Sequence, residues 1–257
     1  MKWGLRLITF LILSYTSIAI ADDDCDEVCQ AARNAQDPLA DVRAIITDNT
    51  LTYKETRAET VHNYQIQPVY SIGLEGGRNL VLRGILPILG VPGPSGHSYG
   101  FSDTIVQAFY VPKTDGGIKF GYGPQISLPT RESDTFAGPG WGIGGAAVMF
   151  GFSGNISYGA IAGHHFGEDD FSQTTIQPIF FYNMDFLGGS YVGYNNSIIY
   201  DWKSDELTLP LGLTFGKTFL TASGLAVELS LGAYTLLDHP NGSGDLQGKW
   251  GLSFFFP

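Results

Sequence analysis

Cys25 and Cys29 are the only two cysteines of the chain. Four residues apart on a helix, their Cα atoms come within disulfide range, and an oxidising compartment favours the bridge; unlinked thiols on a mobile tail are the alternative. His164 and His165 stand just before Glu168, Asp169 and Asp170. Such a cluster could ligate a metal, but a solvated polar loop is the favoured reading, and neither a metal nor a cofactor is expected. A hydrolase would need a Ser or Thr nucleophile beside a base. No nucleophile elbow is present, so no catalytic residue is assigned and the chain is expected not to be an enzyme, although a triad assembled only in space leaves no local trace. The remaining chemistry is non-covalent. Arg83, Lys119, Glu228 and Asp201 are isolated charges within apolar runs, accompanied by the amides Gln67, Gln125, Gln177 and Asn183.

Those runs alternate with period two, the mark of β-strands. Leu80, Leu82, Leu86 and Ile88 share one face while Arg83 takes the other. Phe120, Tyr122, Ile126 and Leu128 oppose Lys119, Gln125 and Ser127, and Leu225, Val227, Leu229 and Leu231 oppose Glu228 and Ser230. Twelve such segments are predicted, over 43–54, 58–73, 78–91, 101–112, 118–129, 140–150, 155–166, 172–185, 190–202, 206–220, 225–237 and 245–257. Tight turns such as Glu75-Gly76-Gly77, Asp115-Gly116-Gly117 and Leu187-Gly188-Gly189 alternate with connections expected to be longer, at 92–100, 130–139, 167–171 and 239–244.

Charged residues make up 15% of the chain, against roughly 25% in an ordinary soluble domain. A secreted β-sandwich would show the same alternation, but its polar faces should be rich in charge. Here they carry mostly Gly, Asn, Gln, Ser and Thr, which suit a barrel interior. Lys2 and Arg6, the apolar run Leu7 to Ile20 and the end Ala19-Ile20-Ala21 read as a signal peptide over 1–21. The fold class expected is all-β: a closed antiparallel transmembrane β-barrel of about twelve strands over 43–257 in the outer membrane, with both termini periplasmic. Residues 22–42 form a periplasmic segment that is either a short helix plugging the barrel or a mobile tail. A net charge of −11 speaks against nucleic acid as a partner. The partners expected are outer-membrane lipid, small solutes and the barrel-assembly machinery.

Several motifs in order, among them Asp37-Pro38-Leu39-Ala40-Asp41, Leu82-Arg83-Gly84-Ile85-Leu86-Pro87-Ile88, Gly121-Tyr122-Gly123-Pro124, Gly138-Pro139-Gly140-Trp141 and the closing Phe254-Phe255-Phe256-Pro257, resemble the bacterial outer-membrane family named for the meta pathway of phenol degradation. Gly100-Phe101-Ser102-Asp103 departs from that family's Gly-x-Gly-Asp. The resemblance implies a barrel that passes small hydrophobic or aromatic compounds. A structural or adhesive barrel without transport, or an outer-membrane lipid hydrolase, is the alternative.

Parity sends Arg83 into the lumen, where a guanidinium needs a carboxylate. Glu228 is the first expected partner and Asp201 the second. Pro68, Pro87, Pro124, Pro178 and Pro210 fall inside strands, where each removes a ladder hydrogen bond and predicts a bulge or gap.

Overall fold

The computed structural model describes residues 25–54, 57–93 and 96–257. The expected signal peptide lies outside the described residues. The strands are β1 (Arg43–Lys54), β2 (Arg57–Leu74), β3 (Arg78–Gly93), β4 (Gly96–Phe101), β5 (Thr104–Val111), β6 (Ile118–Leu128), β7 (Gly142–Ser153), β8 (Ile156–Phe166), β9 (Ser172–Met184), β10 (Ser190–Tyr194), β11 (Ile198–Asp201), β12 (Glu206–Leu220), β13 (Ala226–Asp238) and β14 (Leu246–Phe256). β4 and β5 both pair with β3, and β10 and β11 both lie between β9 and β12. The fourteen segments therefore make twelve antiparallel spans, and β1 pairs with β14 from Arg43↔Phe256 to Tyr53↔Leu246, closing the barrel. With no open edge, no run of unpaired backbone faces lipid.

The two faces of each span divide as the alternation predicts. Ile66, Phe120, Ile143, Phe180, Leu213 and Leu231 are exposed on the outside, a surface that places the chain in the outer membrane. Ser127, Phe150, Ser157 and Tyr191 on the inside have 1% exposure or less. The five prolines expected inside strands all face breaks in the ladder, whereas Pro92, near the end of β3, stays paired with His97. The β2–β3 register is interrupted beside Pro68, and β3 passes from β5 to β4 opposite Pro87. β5 and β6 part beside Pro124, Pro178 faces the gap between β10 and β11, and the register shifts at Leu209/Pro210.

The long loop expected over 92–100 is instead strand: β3 runs to Gly93, β4 starts at Gly96, and Pro92 pairs with His97. Cross-strand rings hold this extension together, His62 stacking on His97 at 4.5 Å between centroids and Tyr64 on Tyr99 at 6.4 Å. Such pairs stabilise a ladder whose composition reads as a turn.

At the periplasmic end, α1 (Glu27–Gln36) is capped by Asp26, whose carboxylate accepts from the Cys29 amide at 2.8 Å. The Cys25–Cys29 disulfide staples that first turn. Beyond the helix, Leu39 is 1% exposed and packs with Val81, Phe109, Val111, Ala146 and Val148, all inward-facing wall residues. The segment after α1 thus lies inside the barrel mouth.

At the opposite end, the connection from β6 to β7 folds inward. Phe136 is buried against Gly100, where a Cβ would stand 2.2 Å from the ring, so only glycine admits it. Asp103, in the break between β4 and β5, is 1% exposed and accepts from Arg131 Nη1 at 2.9 Å, the Arg131 amide at 3.2 Å and the Gly140 amide at 2.7 Å. That hydrogen bond and charge, aided by Asp134 and Glu168, raise the Arg131 pKa above its ordinary value. Asp103→Ala is expected to free residues 129–141 while the barrel stays closed. Limited proteolysis should then cut this loop faster than in the parent chain, and an unchanged cleavage rate would refute the anchoring role.

Candidate functional site

The candidate site is the lower lumen. A cavity of about 130 Å³ lies between the N-terminal segment, which contributes Gln36, Asp37 and Pro38, and a wall carrying Asp48, Arg83, Glu228 and Lys249. At roughly 30 Å³ per water in the liquid it has room for about four. Ile46, Val69, Ile161, Ile179 and Phe181 line the rest, so charge and apolar surface face the same space.

Each charge is held by neighbours. Lys249 donates to Asp48 Oδ1 at 2.6 Å, with the lysine 7% exposed. Arg83 donates to Gln67 Oε1 at 2.6 Å, and Gln67 in turn donates to Gln65 at 2.7 Å. Asp48 faces the same cavity as Arg83. Glu228 accepts from the Thr218 hydroxyl at 3.5 Å and lines the cavity with Tyr191. Arg83 and Glu228 therefore share a cavity without forming an ion pair, contrary to the pairing expected from sequence. Parity fixes which face a residue takes, whereas height and bearing around the barrel decide which charges meet. Asp201 is further removed, at the outer end of β11, where its carboxylate accepts from the Lys203 and Ser204 amides.

The other expected residues divide by height. Lys119 pairs with Asp37 of the N-terminal segment at 2.6 Å. Asn183 accepts from Gln36 at 2.7 Å and donates to Ser157, whose hydroxyl donates to Gln36 at 2.5 Å. Higher up, Gln107 donates to Gln125 at 2.9 Å and Gln125 to the His164 carbonyl at 3.0 Å. Gln177 donates to the Asn195 carbonyl at 2.8 Å, closing the break between β10 and β11. His165 points inward to Ser127, while its neighbour His164 faces outward, so the two rings cannot share an ion.

Sequence reasoning missed Asp48, Lys249, Tyr191 and Asp37. The first two had a signal: the outward run Trp250, Leu252, Phe254 turns Lys249 inward, and Asp48 lies on the inner face of β1 with Ala44 and Ile46. Asp37 had none, because its partner is 82 residues away.

No protein-family model and no curated protein matches the sequence. Among solved structures, the chain is similar to the COG4313 outer membrane channel from Pseudomonas putida F1, with 13% identity over 86% of this chain and 98% of that one, at a TM-score of 0.63. This gives an outer-membrane channel-type barrel fold; the narrower phenol-degradation family finds no support. Two further similar structures are the outer membrane phospholipases of Escherichia coli, with 14% identity over 88% of this chain and 98% of that one at a TM-score of 0.43, and of Salmonella typhi, with 16% identity over 90% and 98% at 0.41. The expectation that the chain is not an enzyme is withdrawn on this finding, since solved barrels of related outline include hydrolases. Scores at this level carry no argument about which residues would act.

Removing one partner of the Asp48–Lys249 pair should cost about 3 kcal/mol, because a buried charge is left unmatched. Lys249→Met is expected to lower the thermal midpoint, and adding Asp48→Asn to restore part of it. Strict additivity of the two changes in thermal unfolding would show that they do not interact.

Proposed function

We propose that the protein is an outer-membrane channel for passive passage of small molecules, with residues 27–42 as a resident plug at its periplasmic mouth. The observation that carries this reading is the charged cavity between plug and wall. A barrel built only as a scaffold has no need to leave Arg83, Lys249, Asp48 and Glu228 around a cavity, since apolar packing of equal volume would be at least as stable. The likeness in fold to a solved channel is consistent with it. A solute with both polar and apolar parts suits walls that combine these charges with Ile161, Ile179 and Phe181.

Polar contacts of the plug include Asp37–Lys119, the Gln36 bonds to Ser157 and Asn183, and Arg33 to the Gly154 carbonyl at 3.2 Å. Its apolar contacts are Leu39 in one cluster and Ala31, Ala35 and Val42 against Ala44, Ala226 and Phe255 in another. A permanently sealed barrel is the competing reading, favoured by the tight packing of Phe150 and Tyr191 in the wall.

Planar-bilayer conductance of the purified protein distinguishes them. Asp37→Asn with Leu39→Ala should raise the open probability several-fold over the parent chain, as should deletion of residues 22–42. If no variant conducts, the channel reading fails; if all conduct equally, the plug does.

A further inference from the structure

The largely apolar outer surface of the barrel carries a polar row at its outer rim on β8 and β9. His164 on β8 and Thr174 on β9 are register partners and face lipid with Ser172. The imidazole is bonded at both nitrogens: Nδ1 to Thr174 Oγ1 at 2.7 Å, and Nε2 to Ser172 Oγ at 3.4 Å. Trp202 Nε1 donates to the same threonine hydroxyl at 2.8 Å, fixing its position. A hydroxyl, an imidazole and a third group that orients the ring are the elements of an activated serine. The 3.4 Å separation is the loose contact such pairs show before substrate binds.

The surroundings define what could reach this serine. Trp202, Tyr200 and Phe166 surround the row, and aromatic rims of this kind mark the depth of lipid headgroups. Directly below, the next row across four strands reads Tyr122, Ala147, Ala162 and Ile176. The two alanines, with Gly145 and Gly163, form a shallow apolar trough that begins at His164 and Thr174 and descends the lipid-facing wall. An acyl chain lying in that trough would bring its ester carbonyl to the height of Ser172.

We infer that Ser172, His164 and Thr174 form a lipid-facing hydrolytic site for acyl esters of the outer leaflet, separate from the lumen. Ser172 Oγ attacks the ester carbonyl carbon and its proton passes to His164 Nε2. The carbon–oxygen bond to the glycerol side breaks, and that oxygen leaves with the proton from Nε2. Water then attacks the acyl-serine, giving its proton to Nε2, and the serine oxygen recovers it as the fatty acid departs. Ester and water become acid and alcohol, with no other reactant. Ser172 and His164 are the catalytic residues, and Thr174 is a positioning residue that holds Nδ1–H so that Nε2 is free to accept.

The test uses the full-length protein in mixed micelles of detergent and diacyl phospholipid, with released fatty acid measured, alongside labelling by an alkyl fluorophosphonate. Folding of each variant is checked by its heat-dependent gel mobility. Ser172→Ala and His164→Ala should each lower release by about 100-fold or more and abolish labelling, in the range that a nucleophile and its base contribute. Thr174→Val should lower kcat with KM little changed, while Thr174→Ser restores it, a rescue that a merely structural role would not give. Bilayer conductance should be unaltered by Ser172→Ala, because the lumen is not involved. Folded parent protein that releases no more fatty acid than Ser172→Ala, or labelling that persists in that variant, overturns the proposal.

Discussion

Closure of the hydrogen-bonded ladder between β1 and β14 is the constraint on which the rest of the structure depends. In lipid an unpaired amide or carbonyl costs several kcal/mol, so the sheet must return to its first strand without leaving an edge. The pairing of Arg43 with Phe256 and of Tyr53 with Leu246 accomplishes that return over the full height of the wall. Several irregularities fall where a proline has relieved the backbone of a donor, at Pro68, Pro87, Pro124, Pro178 and Pro210, and at two of these the span itself breaks, between β4 and β5 and between β10 and β11. Both breaks are reused. Asp103 in the first ties down an outer loop, and Asn195 and Asn196 in the second join the lumen network through Gln177 and Gln247.

Closure also decides what the interior must do. Twelve spans enclose more space than small side chains alone would fill, and large ones enter it where a neighbour is glycine. Tyr191 stands where a Cβ on Gly216 would be 2.2 Å from its ring, and Leu39 where one on Gly121 would be 2.7 Å away. The interior is thus filled selectively: Leu39 and Phe136 enter it from opposite ends, and the charged cavity lies between the N-terminal segment and the wall.

The strands were legible in the sequence because period-two alternation survives in every span and the two sides of the wall differ so strongly. The lumen face of Arg83, Lys119 and Glu228 was legible for the same reason. What alternation does not encode is position around the barrel, so it places Arg83 and Glu228 in one lumen without showing that Arg83 bonds Gln67 and Glu228 meets Thr218. The packing of the N-terminal segment was illegible, since Gln36 and Asp37 find partners on β6, β8 and β9 through folding alone. The rim row escaped notice for a subtler reason. Ser172 and Thr174 lie where a loop meets a strand, and polar residues there look like solvated turn until the register places them opposite Phe166 and His164.

That outward row raises a question of cost that its location answers. A hydroxyl or imidazole facing hydrocarbon without a partner would be destabilising by several kcal/mol. Here His164, Thr174, Ser172 and Trp202 satisfy one another, and the second polar exterior group, His62 with Tyr64 and Tyr99, is joined in the same way. Both groups lie on the outer half of the wall, where headgroups and water are within reach, whereas the periplasmic half presents Ile72, Leu74, Phe120, Phe219 and Leu229, with Lys217 stacked over Phe219 and Arg43 over Tyr70 near its edge. The lumen shows the opposite arrangement, with its charges gathered toward the periplasmic mouth. Polar chemistry is therefore placed inside the wall at one end and outside it at the other, which keeps the closed ladder between the two sites and lets each vary without exposing the other to lipid.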